Sequence, residues 1–176
     1  EKAARFVGKR YKEWREMLAN THGSLLSPKE VKGLLGEMYF LKFFLCARYG
    51  AKEAVLSWTG PKHLPQDYII DDTWYEVKTV SSSRTEVTIS SIEQLDCVKP
   101  GELIIIRADK TSVTNTDAVN LNTLYKDLLA MLSDDDTREQ LSTMLLRYGY
   151  YPRPEYEEEE YTFEIKGTAR YAVSSD

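Results

Sequence analysis

Residues 66–78 read Gln-Asp-Tyr-Ile-Ile-Asp-Asp-Thr-Trp-Tyr-Glu-Val-Lys, a stretch that sets two acids and a base at close spacing. Tyr68, Ile69 and Ile70, and then Trp74, Tyr75 and Val77, are strand formers, and Asp71-Asp72 between them supplies a two-residue turn. With those two residues as the turn, Ile70 faces Thr73, Ile69 faces Trp74 and Tyr68 faces Tyr75, so Asp67 faces Glu76 across the ladder. Alternation puts Glu76 and Lys78 on one face. Directly opposed residues have Cβ atoms roughly 4.5–5.5 Å apart, where like charges repel. A hard divalent ion such as Mg²⁺, held through oxygen, resolves that repulsion, and Lys78 beside it reaches the same phosphate or the attacking water. The plainer reading is an exposed hairpin with an acid-base face, and a one-residue slip in register turns Asp67 to the opposite side.

These groups need a frame to hold them. Ser27-Pro28-Lys29-Glu30 offers an N-cap, a proline at the first helical position and the glutamate of a capping box, ahead of an apolar pattern that runs to Gly50. It predicts a helix from about 28 to 49. Leu34, Leu35, Met38, Leu41, Phe44 and Leu45 form its buried stripe, and Gly33 and Gly36 let another backbone approach. Glu37 lies within that stripe: either it snorkels or pairs at the edge of the core, or it is a third carboxylate near the hairpin.

Ala54, Val55, Leu56 and Trp58 predict a short strand that makes a three-stranded meander with the hairpin. Residues 86–90 predict a further strand, and residues 90–95 a capped short helix with Gln94 in its first turns. Residues 103–107 contain three consecutive Ile and predict a strand buried on both faces, which requires a crossover. A helical pair is expected over 117–132 and 137–148, the second capped by the acidic run Asp134-Asp135-Asp136, which suits a helix N-terminus. Pro152 and Pro154 break the pattern, residues 157–160 read as a solvated loop, and 163–173 as a closing strand or hairpin bending near Gly167. Residues 3–19 read as an amphipathic helix whose basic face carries Arg5, Lys9, Arg10, Lys12 and Arg15.

The chain has 176 residues, of which 42% are hydrophobic and 29% charged, enough for one substantial core. One domain spanning 1–176 is expected, in a cytoplasmic protein, since no apolar run or leader pattern suggests otherwise. Cys46 and Cys97 are too few for a disulfide framework or a Cys-based zinc site, and His22 and His63 fall in Gly/Pro-containing loops. Net charge is −5, but residues 1–50 carry ten Lys+Arg against five Asp+Glu, while 51–176 carry thirteen against twenty-three. Opening at Glu1 directly in helix-like sequence, the chain is expected to be a piece of a longer protein.

The order helix, three strands, short helix, buried strand, with Asp at the start of one strand and Glu-x-Lys on the next, resembles the PD-(D/E)xK nuclease superfamily, the fold of many restriction endonucleases. Trp58-Thr59-Gly60-Pro61, Gln66-Asp67, Glu76-Val77-Lys78-Thr79 and Ser90-Ser91-Ile92-Glu93-Gln94-Leu95 are similar to a prokaryotic branch met beside restriction and phage-defence genes. The resemblance covers roughly 27–107. It implies an α/β fold with an αβββαβ core and a mixed central sheet flanked by helices, to which the apolar spacing outside that range adds an N-terminal basic helix over 3–19 and a C-terminal helical extension over 117–176. By the same resemblance, Asp67 and Glu76 bind Mg²⁺ or Mn²⁺ with the Val77 carbonyl, Lys78 orients water and offsets phosphate charge, Glu37 is the first-helix acid brought to the metal, and Gln94 is a downstream polar residue of the site. Gln66 stands where the superfamily name has Pro, with Pro65 one place earlier. The implied activity is hydrolysis of a DNA phosphodiester, and nothing in the chain excludes RNA as the substrate. The competing reading is an inactive nuclease fold kept as a binding or scaffold subunit, docked through its acidic surface on protein partners of a defence complex.

Overall fold

The computed structural model describes residues 24–60, 65–89, 94 and 99–173. The predicted basic helix, His22, His63, Cys97 and most of the short helix around Gln94 lie outside the described residues. Five strands form one mixed sheet: β1 (Tyr68–Ile70), β2 (Thr73–Val80), β3 (Gly101–Lys110), β4 (Ala118–Val119) and β5 (Phe163–Val173), in the order β1-β2-β3-β5-β4. Only β2 and β3 run parallel, and the other neighbours are antiparallel.

The hairpin has the predicted register, Tyr68 opposite Tyr75, Ile69 opposite Trp74 and Ile70 opposite Thr73. Asp71 and Asp72 both have positive φ, 47° and 63°. Two left-handed residues in succession make the kind of turn whose twist matches a hairpin, and Asp is among the few non-glycine residues that tolerate it. β3 is the buried strand the three Ile imply, with Ile104 and Ile106 fully buried and Ile105 nearly so. β5 is a single strand and not a hairpin: Arg107 pairs with Gly167 and Ala108 with Ile165, so the expected bend is a bulge at that register shift.

α1 (Pro28–Phe40) begins with the capping box foreseen at Ser27 and Glu30, each side chain bonded to the other's backbone N–H. The same helical rod continues through a π-helical turn over Leu41–Leu45 into α2 (Cys46–Tyr49). Leu34, Leu35, Met38 and Leu41 are wholly buried, and α1 lies across β2 so closely that a Cβ on Gly36 would overlap Thr79 Oγ1. That contact sets the helix against the strand bearing Glu76 and Lys78. The helical pair is α4 (Leu121–Met131) and α5 (Asp135–Tyr148), with Asp134 capping α5 by accepting from the Thr137 N–H. The acidic run is thus a helix cap, as predicted.

Two expected strands are absent from these positions. Residues 54–56 belong to α3 (Ala51–Leu56), which starts after Gly50 at φ 85°, and only Trp58 touches the sheet, through an isolated bridge to Tyr68. Ala51, Lys52, Glu53 and Leu56 are all good helix formers, and burial of Ala54 and Val55 suits a helix face as well as a strand. The meander is therefore a hairpin with one added bridge. Residues 84–89 have no regular structure. β2 already has β1 on one side and β3 on the other, so a segment leaving its end finds no vacant edge there.

Candidate active site

Asp67 directly precedes β1, and its backbone holds both neighbours in place. Its N–H donates to the Tyr75 carbonyl at 3.1 Å, and its carbonyl accepts from the Thr59 and Gly60 N–H groups at 2.8 and 3.2 Å. Thr59 Oγ1 adds a 2.6 Å bond to the Gln66 carbonyl. Gln66 itself is buried. The Asp67 carboxylate accepts from the Val77 N–H at 2.8 Å through Oδ2.

On β2, Glu76 is 1% exposed, and its Oε1 pairs with Lys78 Nζ at 2.6 Å. Lys78 Nζ also donates to Gln94 Oε1 at 3.2 Å. Glu76 Oε2 is buried with no hydrogen-bond partner, an arrangement that normally costs about 1–3 kcal/mol, and more for a charged group. From α1, Glu37 turns inward at 7% exposure. Its Oε2 accepts from Trp58 Nε1 at 2.8 Å and its Oε1 from the Tyr148 hydroxyl at 3.4 Å. A Cβ placed on Gly60 would stand 2.7 Å from Glu37 Oε2 and 3.5 Å from Asp67 Oδ1, so these two oxygens converge on one bare glycine.

A cleft of about 570 Å³ collects Glu37, Asp67, Glu76, Val77, Lys78 and Gln94, with Ser27, Lys29 and Glu30 at the first turn of α1 and Tyr148 on another wall. All six residues singled out in the sequence line it. Burial raises the Asp67 carboxyl to about 7, with the Glu76 charge adding to the rise. Burial also pushes Glu37 well above the ordinary carboxylate range, helped by Asp67 and Glu76, and raises Glu76 against the opposing pull of Lys78. Three acids that resist ionising together are what a bound cation would relieve.

Among the described residues no three such side chains are already gathered as a ligand cage. The donor set still fits a hard divalent ion, because it consists of carboxylate oxygens and includes the orphaned Glu76 Oε2. Sequence reasoning missed Trp58 and Tyr148. Trp58 lay within the quoted Trp-Thr-Gly-Pro motif, whereas nothing near Tyr148 in the chain points to a site 111 residues upstream.

A mixed sheet flanked by helices, bearing an acid before one hairpin strand and Glu-x-Lys on the other, defines a restriction-endonuclease-like protein. The chain belongs to the family described as "Putative PD-(D/E)XK family member, (DUF4420)", whose model matches residues 1–176. No curated protein and no solved structure matches it.

Proposed function

We propose that this protein is a metal-dependent nuclease that hydrolyses phosphodiester bonds in DNA. The observation that carries the reading is the meeting of Asp67 and Glu76 in one cleft, near enough for the Glu76 charge to raise Asp67, with Lys78 ion-paired beside them and one Glu76 oxygen left without a partner. Opposed acids destabilise a hairpin, so their presence calls for a cation. Asp67 and Glu76, with the Val77 carbonyl and Glu37, would hold Mg²⁺ or Mn²⁺, which polarises a phosphoryl oxygen and lowers the pKa of a bound water.

The chain's own groups do the rest. The Lys78 ammonium lies where it can offset charge developing on the scissile phosphate. Gln94 Oε1 at 3.2 Å keeps that ammonium aimed into the cleft and away from solvent. Val77 N–H fixes Asp67 Oδ2, leaving Oδ1 facing inward toward the Glu37 side. No covalent intermediate on the protein is needed. In this reading the activity serves restriction or phage defence in the cytoplasm, and the basic segment 3–19 supplies phosphate contacts. Residues 1–176 act as one nuclease domain in this reading.

The test is incubation of the purified protein with supercoiled, linear and modified DNA, and with RNA, in Mg²⁺, Mn²⁺ or EDTA. Cleavage of DNA that requires metal and is lost in Glu76→Gln and Lys78→Met supports the proposal. DNA binding without cleavage in either metal would favour the scaffold reading. Cleavage of RNA alone would move the substrate class.

A further inference from the structure

Tyr148 is the last residue of α5, and the helix stops there because Gly149 takes φ 102°, in the left-handed region. The Gly149 N–H closes on the Leu145 and Leu146 carbonyls, and the Tyr150 N–H returns to Leu145 at 2.9 Å. Such a capped end is rigid, so the direction of the Tyr148 side chain is set by the helix and not by a loop. Gly33, one turn before Glu37 on α1, faces it: the Tyr148 hydroxyl lies 3.7 Å from where a Gly33 Cβ would be.

On the other side of Glu37, Trp58 is fully buried and stacked on Tyr68, with ring centroids 6.3 Å apart. An indole N–H can only donate, so Glu37 Oε2 is committed to accepting from it. Tyr68 contributes a third restraint, its hydroxyl donating to the Glu37 backbone carbonyl at 2.9 Å. Both carboxylate oxygens and the backbone of one buried acid are thus gripped from three separate parts of the chain.

We infer that Tyr148 and Trp58 are positioning residues that fix the plane of the Glu37 carboxylate toward Asp67, so that the C-terminal helical pair is a working part of the cleft. This rests on the nuclease reading for its purpose, though not for its geometry. At 3.4 Å the Tyr148 bond is long. Partners of this outer kind are worth about 10–100-fold in metal affinity or activity, and a long bond belongs at the lower end.

The experiment compares the full chain with Tyr148→Phe, which keeps the ring and deletes the hydroxyl. Two readouts apply: Mn²⁺ affinity by calorimetry, and the indole ¹⁵N–¹H signal of Trp58, assigned by its loss in Trp58→Phe. The expected result is about tenfold weaker Mn²⁺ binding together with a displaced Trp58 signal, as Glu37 relaxes from its tether. An unchanged Trp58 signal with unchanged Mn²⁺ affinity overturns the inference, even if the melting temperature falls, because a merely structural tyrosine would produce that. If the parent neither binds Mn²⁺ nor cuts nucleic acid, the nuclease reading fails, and the Trp58 signal alone still decides whether Tyr148 positions Glu37.

Discussion

Replacing Asp67 by Asn removes a charge while keeping an oxygen able to accept from the Val77 N–H, so its effect on stability reports the cost of keeping that carboxylate charged while buried and beside Glu76. The Asp67 carboxyl is held at about 7 against an ordinary 3.8. Between those values the folded protein binds a proton that the unfolded chain has released, so stability falls as pH rises through that window. At about 1.36 kcal/mol per pH unit the full penalty approaches 4 kcal/mol above pH 8, and sharing of charge with Glu76 and Glu37 reduces what one substitution can return to about 2 kcal/mol. In a chain of this size that corresponds to roughly 4–8 °C in Tm. Asp67→Asn should therefore melt above the parent at pH 8 in EDTA, with the gap narrowing as pH falls and closing near pH 4. With Mg²⁺ the order reverses, because a ligand at a hundredfold excess over Kd stabilises the parent by about 2.7 kcal/mol, whereas the variant has lost a ligand charge. Thermal melts at both pH values, with and without Mg²⁺, provide the assay. If Asp67→Asn melts far below the parent at pH 8 in EDTA and responds equally to Mg²⁺, Asp67 is a structural residue and the argument from opposed acids is refuted.

Lys78→Met should lower cleavage by about 10²–10³-fold while leaving metal affinity unchanged or tighter, since it frees Glu76 Oε1; calorimetry beside a plasmid assay separates the two effects. Gly60→Ala would put a methyl 2.7 Å from Glu37 Oε2 and 3.1 Å from Trp58 Nε1, so it should break their bond and cost about 1–3 kcal/mol in urea denaturation, with a parallel loss of cleavage. Lys9, Arg10 and Lys12 reversed together to Glu should weaken DNA binding and flatten its salt dependence; an unchanged slope in a salt titration would remove the N-terminal segment from the interface.

The hairpin was legible because counting outward from Asp71-Asp72 fixes its register without reference to the rest of the fold. The start of α1 was legible for a similar reason: Ser27, Pro28 and Glu30 cap within one turn. Where local signals were ambiguous, tertiary context decided. Ala54, Val55 and Leu56 fit a strand or a helix equally, and α3 won because Gly50 ends the preceding helical rod and the next three residues favour helix. Residues 86–89 have strand-like composition, but the strand they leave, β2, is already paired on both sides. The π-helical turn at Leu41–Leu45 left no mark in the apolar pattern. Within the cleft, Glu37 could be suspected as a charge inside an apolar stripe, but its tether to Tyr148 depends on how α5 lies against α1, which no spacing in the sequence encodes.

The central strand β3 has one neighbour from before it in the chain and one from far after it. During synthesis the residues Glu37, Asp67, Glu76 and Lys78 all emerge well ahead of Tyr148, and Tyr148 ahead of β5. Until β5 arrives, the Ile-rich β3 exposes an open edge, the kind of surface that delays folding and invites misassembly. A chain stalled before α5 would carry every charged group of the proposed chemistry without the tyrosine tether or the strand that covers β3. For a protein whose proposed target is nucleic acid, which its own cell also contains, the order of the elements makes synthesis through β5 a condition for completion of the site.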